Sequence, residues 1–90
     1  MLDSTDPPSI IQAKRKLADR FRQVRVEQFG LRGDSRLARE LNIPLRTWLN
    51  YESGVTIPGE ILLLFLVLTD VEPRWLLSGE GAMYRSAAAG

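Results

Sequence analysis

The sequence predicts an all-α protein, a compact bundle of five helices, and three observations carry that expectation. Apolar residues recur at helical spacing along most of the chain. Prolines and glycines fall at intervals that suit helix starts and stops. The run ILLLFLVL, from Ile61 to Leu68, is apolar on every side, yet as a helix it would rise only about 12 Å against the roughly 30 Å of a bilayer core. Such a segment is too short to span a membrane and must be buried on most sides within the protein.

Taken in order, residues 1–9 carry two prolines and no periodic pattern, and are expected to form a flexible lead. A long first helix begins near Ile10, with Ile10, Ala13, Leu17, Phe21 and Val24 at helical spacing and Lys14, Arg15, Arg20, Arg22 and Arg25 mostly on the other faces. Gly30 ends it. After Leu31-Arg32-Gly33, either Asp34 or Ser35 can cap a two-turn second helix, SRLARELN, whose inward residues are Leu37, Ala38 and Leu41. Asn42-Ile43 makes a short turn. Pro44 suits the start of a third helix, because its missing N–H would have no intrahelical partner there, and Gly54 suits the stop. VTIPG breaks the chain before a fourth helix over Glu60 to Thr69. Glu72-Pro73 then opens a short fifth helix, PRWLLS, closed by Gly79. The folded domain is expected over residues 10–81, with residues 82–90 a tail or linker.

Composition narrows the function. At 90 residues the chain holds one small domain, and it contains neither cysteine nor histidine. Disulfides, thiolate metal sites, histidine zinc ligands and the commonest general base are thereby excluded, so neither a metal nor another cofactor is expected. No paired catalytic constellation appears among the remaining polar residues, and no small-molecule substrate is evident. The N-terminus is polar and acidic, without the basic region and apolar stretch of a secretory signal, which leaves the cytoplasm as the expected compartment. The net charge of +1 conceals a segregation: Lys14 to Arg46 carries +6, whereas Thr47 to Gly90 carries −3. A polyanion is the natural partner for the basic part, although a solvated helix face gives the same pattern.

The third helix brings these features together. On a helical wheel Trp48 and Tyr51 fall on one side, where aromatics at this spacing serve as core. The opposite strip is Leu45, Arg46, Leu49, Asn50 and Ser53. Two short helices joined by a tight turn, the second carrying Arg and Asn outward, meet the geometric requirement of a helix-turn-helix. Arg can bond guanine bidentately and Asn can bond adenine, while leucine can pack against thymine methyls.

The span from about Leu17 to Gly81 resembles the Cro/repressor class of lambda-repressor-like helix-turn-helix domains, in particular the DNA-binding domain of phage CI-type repressors. The matching pieces are FGL, LARELNI, WLNYESGVTIP and WLLSGEG, in that order. The resemblance implies a five-helix bundle that binds double-stranded DNA as a homodimer and regulates transcription, as a repressor that occupies an operator. It places base-reading positions on Leu45, Arg46, Thr47 and Asn50. Phosphate contacts fall on Ser35, Ser53 and Thr56, with Arg36 and Arg39 reaching the backbone if the second helix crosses it. It implies that Glu52 is structural and pairs with an arginine such as Arg25. It also implies self-association through helices four and five, with Leu62, Leu66 and Trp75 as interface residues.

The chain departs from the family at Asp34, where glutamine is common, and at Pro44, where Ser or Thr is common. The loop Leu31 to Asp34 is one residue longer, and VTIPGE lacks the cations many relatives present to DNA. These departures, with leucines at 45 and 49, keep open an alternative: an antitoxin-like or adaptor domain that binds protein and little specific DNA.

Overall fold

The computed structural model describes residues 8–85, with side chains from Gln12 onward. Among the described residues the chain is all-α, with helices α1 (Pro8–Phe29), α2 (Asp34–Glu40), α3 (Leu45–Glu52), α4 (Gly59–Thr69) and α5 (Pro73–Ser78). The lead expected over residues 1–9 lies outside the described residues as far as residue 7, and Pro8 and Ser9 already belong to α1.

The core forms around Trp48, which is fully buried. Its ring stacks on Phe65 of α4 at 5.5 Å and meets Phe21 of α1 edge-on at 5.9 Å. Tyr51 completes the group at 6.0 Å, also edge-on. Aromatic pairs in these orientations contribute about 0.5–1.5 kcal/mol beyond the area they bury, so α1, α3 and α4 are locked at one point. Val24, Leu37, Ala38, Leu41, Val71 and Leu76 fill in around it.

Only part of α1 serves that core. Leu17, Phe21 and Val24 pack inward as their spacing predicts, but Ala13 is exposed, and the side chain of Ile10 lies outside the described residues. From Gln12 to Lys16 every residue is exposed, so this stretch of the helix lies clear of the core. At the other end Gly30 adopts φ 90°, and Gly33 packs directly on the last turn of α1. A Cβ on Gly33 would overlap the carbonyl oxygen and Cβ of Phe29, so the α1–α2 corner requires glycine. Gly33 also takes the N-cap position of α2. Neither Asp34 nor Ser35 is therefore the cap: Asp34 is the first helical residue, and its carboxylate accepts a 3.0 Å bond from the Ser35 N–H.

Helix α4 buries Phe65 and Thr69. Gln28 of α1 donates to the Thr69 carbonyl at 2.7 Å, tying the end of α4 to α1. Leu62, Leu66 and Trp75, the residues expected at a dimer interface, are half-buried and packed against the core. The α4 leucines and valine that face solvent are Leu63, Leu64, Val67 and Leu68. The segment after Gly81 also differs from expectation, because Tyr84 pairs with Val71 in an isolated antiparallel bridge. The Glu72 N–H donates to Met83 O at 2.8 Å and the Arg85 N–H to Asp70 O at 3.0 Å. The folded unit thus extends to Arg85, and the remainder of the expected tail lies outside the described residues.

Candidate nucleic-acid interface

Helices α2 and α3 are joined by Leu41 to Pro44, and the backbone of this turn is fully accounted for. Asn42 takes the left-handed conformation, φ 59°, which asparagine tolerates better than most residues. Its N–H donates to Arg39 O and that of Ile43 to Ala38 O, both at 3.0 Å. These two bonds form a Schellman motif, which stops α2 and turns the chain sharply. Pro44 is extended, with ψ 149°, and is the N-cap of α3 rather than its first helical residue. The other end of α3 closes in the same way. Gly54 at φ 109° lets Val55 N–H reach Asn50 O at 3.0 Å, while the Ser53 hydroxyl donates to the same carbonyl at 2.8 Å.

A buried ionic network holds α3 against α1. Arg25 donates from Nε to Glu52 Oε2 at 2.9 Å and from Nη2 to Glu52 Oε1 at 2.8 Å. Its Nη1 donates to Gly30 O at 3.2 Å and Leu31 O at 2.7 Å, and the Trp48 indole N–H donates to Glu52 Oε2. The hydrogen bonds to Glu52 raise the Arg25 pKa, with burial opposing and the nearby carboxylates of Glu52 and Asp34 adding to the rise. The pairing expected for Glu52 is therefore present. Arg25, however, is 6% exposed and cannot serve as a surface cation.

With its inner face fixed by Trp48, Tyr51 and Glu52, α3 presents Leu45, Arg46, Leu49 and Asn50 to solvent. Thr47 is half-buried at the edge of this strip. Ser35, Arg36 and Arg39 are exposed along α2, and Ser53 and Thr56 are exposed beyond the end of α3. Every residue expected to touch DNA thus has at least a partly solvent-facing side chain. The two α2 arginines differ. Arg36 lies over the Phe29 ring, 5.3 Å from its centroid, whereas Arg39 and Arg46 have no acidic partner among the described residues. A shallow cleft lined by Ser35, Arg39, Asn42, Pro44 and Leu45 runs between the two helices.

Sequence reasoning missed the Trp48–Glu52 bond and the stacking of Arg36 on Phe29. The i, i+4 spacing of Trp48 and Glu52 carries the first signal. The second depends on how α2 turns back on α1, which no local pattern encodes. Among the described residues no group of His, Cys, Asp or Glu side chains could hold a metal ion, and no helix is long and apolar enough to cross a membrane. Compared with models of protein families, with curated proteins and with solved structures, the chain matches none.

Proposed function

We propose that this chain is a sequence-specific DNA-binding regulator, a repressor whose α2–turn–α3 unit acts as a helix-turn-helix with α3 in the major groove. One observation carries it: a short helix is anchored on one side by Trp48, Tyr51 and the Arg25–Glu52 pair, and offers on the other an asparagine and an arginine with no acidic partner among the described residues. Rigid presentation of this kind is what base readout needs, since a bidentate contact discriminates only when its geometry is fixed. In this proposal Arg46 and Asn50 read base edges, Leu45 and Leu49 meet thymine methyls, and Thr47 sits at the margin. Arg39 neutralises phosphate, assisted by Ser35, Ser53, Thr56 and Arg36. One domain makes few such contacts, so tight binding calls for two copies on a two-fold site.

Selection from a randomised duplex pool at about 50 and 200 mM salt tests the proposal. Enrichment of a two-fold symmetric site is expected, with retention falling as salt rises. Failure to enrich any sequence at either salt would refute it. A second function, recognition of a protein partner by α3, is favoured by the exposure of Leu45 and Leu49, 39% and 42%. Leu49→Glu separates the two, because it would abolish a protein complex in a chain that never retained DNA.

A further inference from the structure

Where α1, α4 and the segment after α3 come together, a cleft of about 260 Å³ has Leu17, Ala18, Phe21, Ile57 and Leu62 for its apolar walls. A second, of about 200 Å³, opens between α4 and α5, walled by Leu66, Pro73, Leu76 and Leu77 and by the same Leu17 and Leu62. The two meet over that shared pair of side chains and make one elongated groove. Either alone is smaller than the roughly 300–1,000 Å³ usual for small-molecule sites, whereas the two together fall within it.

The ends of the groove differ in chemistry. The second cleft is lined by leucine and proline alone, but the first also carries Lys14, Tyr51 and Thr56. Tyr51 is only 6% exposed, and among the described residues no hydrogen bond engages its hydroxyl. A polar group withdrawn this far from water ordinarily has a partner. All three polar side chains can donate, Lys14 through three N–H groups whatever contact it already makes, and no acidic side chain lines either cleft. A head group seated here must therefore accept hydrogen bonds and carry no positive charge.

We propose that the groove binds an unbranched aliphatic carboxylate of medium chain length, its head at Tyr51 and Thr56 and its tail passing over Leu17 and Leu62 into the cleft between α4 and α5. Size selects the length. At about 30 Å³ per non-hydrogen atom, the share of a water molecule in the liquid, hexanoate fills the first cleft and a chain of roughly ten to twelve carbons continues into the second. The head lies beside Thr56 and the last turn of α3, so a bound carboxylate sets negative charge where the function proposed above brings phosphate. Ligand and DNA then oppose one another reciprocally, a consequence that rests on the DNA reading, whereas the site itself does not.

Titration calorimetry with hexanoate, octanoate and decanoate, below micelle formation and without DNA, tests the site. Affinity should rise about fourfold per added CH₂, from hexanoate through decanoate. Tyr51→Phe keeps the ring and should weaken decanoate about tenfold through the lost hydrogen bond. Leu77→Glu, at an exposed position on the tail end, should weaken decanoate but not hexanoate, and Val67→Glu, on the outer side of α4, should change neither. Circular dichroism of each variant should match wild type. Absence of decanoate binding, affinity that stops rising beyond hexanoate, or indifference to Tyr51→Phe overturns the proposal. So does a loss in Val67→Glu equal to that in Leu77→Glu, which would put the chain on the open face of α4. Adding decanoate to the duplex selection should lower retention, and undiminished retention overturns the opposition. A chain that shows this calorimetric pattern but retains no DNA upholds the site and refutes operator recognition alone.

Discussion

Replacing Glu52 with leucine should be among the most damaging single changes to this domain. The carboxylate accepts two hydrogen bonds from Arg25 and one from the Trp48 indole, with the Arg25 and Glu52 side chains only 7% and 10% exposed. Its removal leaves the guanidinium buried with only the carbonyls of Gly30 and Leu31 as acceptors. Breaking a buried pair from one side costs about 3–5 kcal/mol, and the orphaned Trp48 N–H draws on the same loss rather than adding to it in full. A 90-residue domain has about 5–13 kcal/mol of stability in total. The melting temperature should therefore fall by more than roughly 12 °C. Urea unfolding of wild type, Glu52→Leu, Arg25→Met and the double variant measures the effect. The double variant has no uncompensated charge and should recover most of the loss, at a net cost of about 1–3 kcal/mol from the indole. A Glu52→Leu cost below about 1 kcal/mol, or simple additivity of the two single changes, would refute the argument that this pair is coupled and desolvated.

Gly33→Ala drives a methyl into the Phe29 backbone and should cost at least about 1–3 kcal/mol, whereas Gly59→Ala meets open space and should be neutral or stabilising by up to about 1 kcal/mol; thermal melts compare them. Burial of the Tyr84 hydroxyl, followed by the neighbouring Glu27 carboxylate, raises its pKa above the ordinary value of 10.0, with Gln28 opposing. The folded state thus favours the neutral phenol. Its contribution is complete below pH 10 and is lost as pH rises through the folded pKa. Tyr84→Phe should consequently lose less stability than wild type on moving to higher pH, and parallel stability curves would contradict this. Arg46→Ala should relax preference at one base-pair position at a cost of about 1–3 kcal/mol. Arg39→Ala should instead weaken all sequences alike and reduce the salt slope by about one, both read by titration of labelled duplexes.

The helices were legible because their signals are local. Pro73 at the start of α5 and Gly30, Gly54 and Gly79 at helix ends act through backbone geometry, and Trp48 and Tyr51 through spacing alone. The outward side of α4 was not legible for the opposite reason. A helix apolar all round has no phase, so ILLLFLVL cannot indicate whether Leu62 and Leu66 or Leu63 and Val67 meet water. Only packing against Phe21 and Trp48 settles it. The fate of Arg25 and the bridge from Tyr84 to Val71 likewise depend on residues distant in the chain. At the candidate interface, the exposure of Arg46 and Asn50 follows from the position of Trp48, whereas the engagement of Arg36 by Phe29 follows from the turn at Gly33.

The two tryptophans occupy unlike surroundings, and this gives the protein an internal optical probe. Trp48 is sealed from solvent, stacked on Phe65 and bonded to a carboxylate, while Trp75 is half-buried. In a Trp75→Phe background the remaining tryptophan fluorescence would come from α3 alone. A quencher confined to water would then register any moment at which that helix lifts from the bundle, without a label attached to the surface meant to meet DNA.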